Sequence, residues 1–342
     1  MDLQEAKSQS QQQKEKLIFW FLLFLLPLSI LLSFWTGPSL TWKDWSLWIQ
    51  GYNSPRVETI LFSLRLPRIL FGVLVGASLA ASGAALQGIL QNPLAEPYTL
   101  GISGGGLFGV SLGIIAIAYH FASPQIMPFF GFGGSLLASL LVYLLAIKSG
   151  FQIYRLILGG VIISFIFSSL VIIILFLLPP EVSQVSLLML IGDLSGNQVS
   201  LLWLASPIIL IFLFYLFHLS SEINLLSLGE EKALSLGVSP KRLSFIVFWI
   251  TSLLTGTAVS IAGLIGFIGL MVPHLFRLLG IADFKRLLPY SALGGAILLV
   301  LFDTLSRRIF FPLELPVGIL SSLLGGLVLL YLLLFNSQKL VN

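Results

Sequence analysis

The sequence predicts an all-α, polytopic transmembrane helical bundle of about ten spans with both termini in the cytoplasm. Three observations predict it. Only 9% of the residues are charged and 57% are apolar, whereas a soluble domain carries about 25% charged residues. The apolar residues come in long runs, and a run of roughly 20 crosses the bilayer core as a helix that closes its own backbone bonds. The basic residues are divided unequally between the loops on the two sides.

The apolar runs place spans at residues 17–35, 69–90, 98–119, 129–147, 156–178, 201–217, 243–262, a glycine-rich and proline-broken stretch reaching 279, 288–305 and 317–335. Residues 1–16 read as a polar tail, 17–335 as the membrane domain and 336–342 as a second tail. The leader with Lys7, Lys14 and Lys16 is glutamine-rich, and no small-residue cleavage site follows the first run, so that run reads as a span and not a signal peptide. With the N-terminus inside, twelve of the 18 basic residues fall on the cytoplasmic side. The six outside are Lys43, Arg56, Arg65, Arg68, Arg307 and Arg308, an exception explained either by snorkelling to headgroups and pairing with Asp303, Glu58 and Glu314 or by docking of acidic side chains of an external protein.

Several chemistries are disfavoured. There is no cysteine, hence no disulfide and no thiolate metal site. Three histidines and no His-Glu-x-x-His pattern give no expected metal centre. The scattered basic residues do not form a nucleic-acid patch. No Gly-x4-Gly-Lys-Ser/Thr loop is present, so any ATP and magnesium belong on a partner, and no catalytic residue or cofactor is expected in this chain.

The motifs carry both bland and functional readings. The run from Gly76 to Gly88 is rich in small residues and suits close helix packing in lipid. In Asn92-Pro93-Leu94-Ala95-Glu96-Pro97, two prolines end one helix and begin another, and Gly101 permits a sharp turn. Gly101-Ile102-Ser103-Gly104 matches the short pattern of rhomboid-type intramembrane proteases, which would need His274 beside Ser103. Gly266, Gly269, Pro273, His274 and Arg277 form a second signature, with His274 and Arg277 one turn apart. Residues 220–242 read as two short amphipathic helices separated around Gly237, suited to a membrane surface or a partner's groove. The spacing of Gly76, Gly83 and Pro93 recurs in Gly256, Gly263 and Pro273, which would fit an inverted repeat.

Taken in order, Arg65-Leu66-Pro67-Arg68, Asn92 to Pro97 with Leu100 to Ser103, Gly266 to His274 and Glu314 to Gly318 resemble the permease family of ATP-binding-cassette importers for iron-siderophores, haem and vitamin B12. The resemblance spans nearly the whole chain after the first run. It implies ten spans per subunit, a homodimer or a pair with a close paralogue, two cytoplasmic ATPases and an external substrate-binding protein. It implies that Arg65, Arg68 and Arg307 meet acidic residues of the binding protein. Within 218–242, Leu228, Gly229, Glu230, Glu231, Ala233, Leu234 and Gly237 would seat on the ATPase. Gln152, Ile153 and Tyr154 would lie at the cytoplasmic gate, with the fifth spans lining the pathway. The cargo would be an iron complex, with cobalamin or ATP-independent secondary transport as alternatives. The stretch Gly325-Gly326-Leu327-Val328 departs from the Gly-Ala-Pro often found in the family's final span.

Overall fold

Helices satisfy nearly all the backbone in the computed structural model, which describes residues 3–37, 39–52, 54–148, 153–195 and 199–335. Fifteen α-helices follow in order: α1 Leu3–Trp35, α2 Trp42–Ile49, α3 Pro55–Glu58, α4 Leu66–Ile89, α5 Ile102–Ala118, α6 Met127–Lys148, α7 Ile153–Leu177, α8 Pro180–Leu190, α9 Val199–His218, α10 Ser220–Ser227, α11 Glu230–Ser235, α12 Pro240–Ala262, α13 Ile268–Leu278, α14 Phe284–Ile309 and α15 Val317–Phe335. Among the described residues, seven helical stretches are long and apolar enough to cross a membrane, and α5, α13 and α15 are shorter apolar helices. Together they account for the ten expected runs.

The second span begins at Pro55, well before the expected 69, because residues 55–65 are already helical. Thr59–Arg65 winds as a π-helix, with the Leu66 N–H bonded to Leu61 O five residues back. The register returns to α at Pro67, whose nitrogen has no proton to donate. Pro179-Pro180, expected only to stop a helix, also starts α8, with Pro180 in its first turn.

Helices α4, α12 and α14 form the interior. Their spans are 78%, 72% and 67% buried, against 17% for α1, which shows most of its apolar face to lipid. α4 comes close to its neighbours through glycine. A Cβ at Gly83 would lie 1.9 Å from the Gly269 carbonyl oxygen on α13, and one at Gly76 would lie 2.2 Å from the Gly295 carbonyl on α14. Small residues thus bring backbones together where lipid supplies no hydrophobic drive.

Three helix ends meet inside the bundle and pair their leftover backbone groups. Gly192 N–H donates to Leu264 O at 3.1 Å, Asp193 N–H to Ala262 O at 2.9 Å, and Gly318 N–H to Gly192 O at 2.8 Å. This junction joins the end of α8, the unwound 263–267 segment between α12 and α13, and the start of α15. Non-helical backbone at this depth is tolerated because it is bonded within protein.

The stretches that share the glycine spacing begin alike, with Gly76 inside α4 and Gly256 inside α12, and then differ locally. Gly83 lies inside α4, whereas Gly263 ends α12 with φ +66°. Pro93 lies in a turn, whereas Pro273 lies inside α13.

Candidate functional site

Polar side chains concentrate at the two ends of the bundle. We call proximal the end where Glu15 of α1 pairs with Arg286 of α14, and distal the end where Ser33 of α1 meets Arg307.

At the distal end, Arg68 is the hub. Its Nε donates to Asp303 Oδ1 at 2.8 Å and its Nη1 to Glu314 Oε2 at 2.7 Å. Arg307 pairs with Asp303 Oδ2 at 3.2 Å and donates to Ser33 Oγ at 2.7 Å. Asp303 is 2% exposed and is held by two cations, which is what a buried carboxylate requires. Arg65 donates through Nη1 to Phe34 O at 2.8 Å. Its Nη2 is buried without a hydrogen bond, and among the described residues no carboxylate pairs with it. The three expected docking arginines are therefore together, but they are buried and bonded within the chain. The sequence reading missed Asp193, which lies 4.0 Å from Arg68 Nη2. Only the fold brings residues 68, 193, 303 and 314 to one place.

At the proximal end, the 220–242 segment divides at Leu228-Gly229 and not around Gly237. Gly229 has φ +111°, a left-handed value that glycine tolerates and that ends α10 before α11 begins. Gly237 instead makes the turn from α11 into α12, at φ +85°. Ala233, Ile223 and Leu226 are buried anchors. Leu228, Glu230, Glu231, Leu234, Leu236 and Gly237 face out. Three exposed leucines beside two glutamates form an apolar patch on the surface. The segment is tied to the interior: Gln91 Nε2 donates to Leu226 O at 2.9 Å, and Asn224 Oδ1 accepts from Phe284 N–H at 2.8 Å.

The α4–α5 connection begins at the proximal end, where Gln91 meets Leu226. Asn92 Oδ1 accepts from Leu94 N–H at 2.9 Å. Pro97 opens a 3-10 turn, and Gly101 takes φ +80° against Gly160 of α7. Tyr98 OH accepts from Ile265 N–H at 3.1 Å. Of the expected gate residues, Gln152 lies outside the described residues, Ile153 begins α7, and Tyr154 is exposed.

Glu96 sits in this loop with a buried Oε2 that has no hydrogen-bond partner. Burial pushes its carboxyl up to about 7. A carboxyl raised in the folded state adds stability at pH below its ordinary value of 4.5, and that stability is lost as pH rises towards 7. Glu96→Gln is therefore expected to raise the melting temperature at pH 8 and leave it near the parent's at pH 5. The difference reaches at most about 3 kcal/mol. Thermal melts in detergent at the two pH values check it, and equal gains at both would sink the assignment.

In the second signature, Gly269 O accepts from Gln87 Nε2 at 3.3 Å, while Gln87 Oε1 accepts from Arg277 Nη1. The Arg277 guanidinium lies 5.8 Å from the Phe284 ring centre. Pro273 sits within α13, and Gly266 approaches Ser322 of α15. His274 is buried, and its Nε2 has no hydrogen-bond partner, so the Ser103–His274 pair required by protease chemistry is not made. Gly325 packs against Phe267, so the departure in the last span keeps a close contact with the unwound segment.

Residues 22–335 match the FecCD transport family. The chain belongs to that family. The hemin transport system permease protein HmuU of Yersinia pestis is 38% identical over 95% of this chain and 97% of its own length. The Fe(3+)-citrate import system permease protein YfmE of Bacillus subtilis is 38% identical over 82% of this chain and 84% of its own. A solved structure described as an inward-facing conformation of a metal-chelate type ABC transporter is 32% identical. It covers 93% of this chain and 98% of its own, with a TM-score of 0.83. The permease is thus a multi-pass membrane protein of a transport family.

Proposed function

We propose that this permease is the membrane subunit of an ATP-driven importer of iron complexes, either a ferric siderophore or haem. The full-length likeness to permeases named for hemin and ferric citrate supports that cargo over cobalamin and over ATP-independent transport. The distal end would face the cell exterior or periplasm and the proximal end the cytoplasm, in keeping with the excess of Lys and Arg in the proximal loops. Two ATPases, carrying ATP and magnesium, would seat on α10 and α11. The exposed Leu228, Leu234 and Leu236 beside Glu230 and Glu231 carry this part of the reading, since such a patch is costly in water.

A motion there would pass to α4 through Gln91 and to α14 through Asn224. A second permease copy or a close paralogue would complete the pathway against α7, whose Ile162, Phe165, Ile166, Ile173 and Phe176 are exposed. An external binding protein would present carboxylates to the distal arginines, which are buried before it docks, and Arg65 Nη2 lacks a hydrogen-bond partner among the described residues.

Purification from native membrane tests the reading. An ATPase is expected in equal amount, and Glu230→Ala/Glu231→Ala/Leu234→Ala is expected to lose it while the permease stays monodisperse. Uptake of ferric siderophore or haem into liposomes without any ATPase would overturn the proposal.

A further inference from the structure

The carboxylates around Arg68 are not equivalent. Asp303 is buried, with a side chain 2% exposed, and it serves Arg307 as well. The Glu314 side chain is 43% exposed and touches only one guanidinium nitrogen, Nη1. The third nitrogen, Nη2, is buried without a hydrogen bond, 4.0 Å from Asp193. Glu314 lies in the turn between α14 and α15, and Asp193 in the turn between α8 and α9. Both turns run into the backbone junction where Gly318 N–H meets Gly192 O and Gly192 N–H meets Leu264 O. Arg68, fixed on the buried α4, thus holds the ends of α8 and α15 in place.

We propose that Glu314 closes a clasp on Arg68, and that a carboxylate of the external binding protein opens it by exchange. The inference rests on the docking reading above for the identity of the incoming group. Nη2 is buried while Glu314 stands, so an incoming carboxylate first replaces Glu314 at Nη1 and reaches Nη2 only as the 314–318 turn moves away, completing a bidentate pair, which is the stronger geometry. The displaced Glu314 goes to water at small cost because it is already partly hydrated. Asp303 cannot leave in this way, since it would strand Arg307 in the interior. Exchange therefore removes one carboxylate, leaves the buried pair standing, and frees the 314–318 turn. Release of that turn loosens the Gly318–Gly192 bond and, with it, the distal ends of α8 and α15.

The parent chain contains no cysteine, so one introduced thiol reports on the junction. Val317 is 0% exposed and starts α15. In the full complex in lipid nanodiscs, Val317→Cys is labelled with a charged maleimide, and labelling of this chain is read by mass. Adding Glu314→Gln is expected to speed labelling about tenfold, as loss of one charge-assisted bond implies. Asp193→Asn should act in the same direction, and Glu58→Gln, a loss of exposed charge elsewhere at the same end, should not. Leu320→Cys, 6% exposed, repeats the readout should the first site fold poorly. Unchanged labelling on Glu314→Gln at both reporters would overturn the clasp. Binding protein is expected to speed labelling of the parent and to bind Glu314→Gln more tightly. Faster labelling with unchanged or weaker binding would overturn the exchange step. No binding to either form would instead overturn the docking reading.

Discussion

Replacing Gly83 with valine is expected to abolish recovery of folded protein, and alanine is expected to lower its melting temperature sharply. A Cβ there would sit 1.9 Å from the carbonyl oxygen and 2.7 Å from the Cα of Gly269. Overpacking an ordinary core costs about 1–3 kcal/mol because side chains can shift. Here the obstacle is backbone on both sides, so α4 and α13 must separate as units. That separation would also part Gln87 from Arg277, since Gln87 lies one turn beyond Gly83 on the same helix. Gly133→Ala is the control, because a Cβ there meets nothing within 4 Å. Size-exclusion profiles and thermal melts in detergent check the pair. Equal melting temperatures for Gly83→Ala and Gly133→Ala would show that the close approach of α4 and α13 is not required.

Neutralising Asp303 is the other change expected to have a large effect. Asp303→Asn leaves Arg68 with Glu314 and the more distant Asp193 and leaves Arg307 without a paired carboxylate among the described residues, both in a buried setting. Removing one partner of a buried pair costs about 3–5 kcal/mol, most of it from the stranded charge. The double variant Asp303→Leu/Arg307→Met removes one charge of each sign and is expected to cost less than the sum of its single changes. Denaturant or thermal unfolding of the four proteins gives the coupling. Additive losses would mean that the Asp303–Arg307 contact contributes nothing. Glu314→Gln, by contrast, should cost only about 1 kcal/mol, because its side chain is partly in water.

Much of the fold was legible in sequence because lipid imposes a coarse rule: apolar stretches of helix-spanning length become helices. Positions where the rule failed have local causes. The helix from Pro55 was hidden because Arg56, Glu58, Thr59, Ser63 and Arg65 interrupt its apolar residues, so no unbroken apolar run marks it. Trp45 stacks on Trp35 with ring centres 4.3 Å apart, inside a small cluster with Leu40, Val57 and Leu61. Helix α8 was hidden because Pro179-Pro180 serves equally as a stop and a start. The break at Gly229 was placed at Gly237 because both glycines suit a left-handed turn, and sequence alone does not say which one ends the first helix.

By itself, the sequence determined that the chain is a helical membrane bundle, that its charges gather at the ends of spans, and that it resembles the iron-complex permeases. These follow from composition, run length and ordered motifs, all of which are local. The sequence offered Asp303, Glu58 and Glu314 as partners for the distal arginines, and the tertiary structure decided which of them meet and added Asp193. Arg68, Asp193, Asp303 and Glu314 are separated by up to 246 residues, and no periodicity links them. Their meeting depends on α4 lying against α14 through Gly76 and Gly295, and on three broken helix ends sharing backbone bonds. In lipid an unpaired charge or backbone group has no water to turn to. The fold must therefore find partners for most of them, and that pairing is a property of the whole chain.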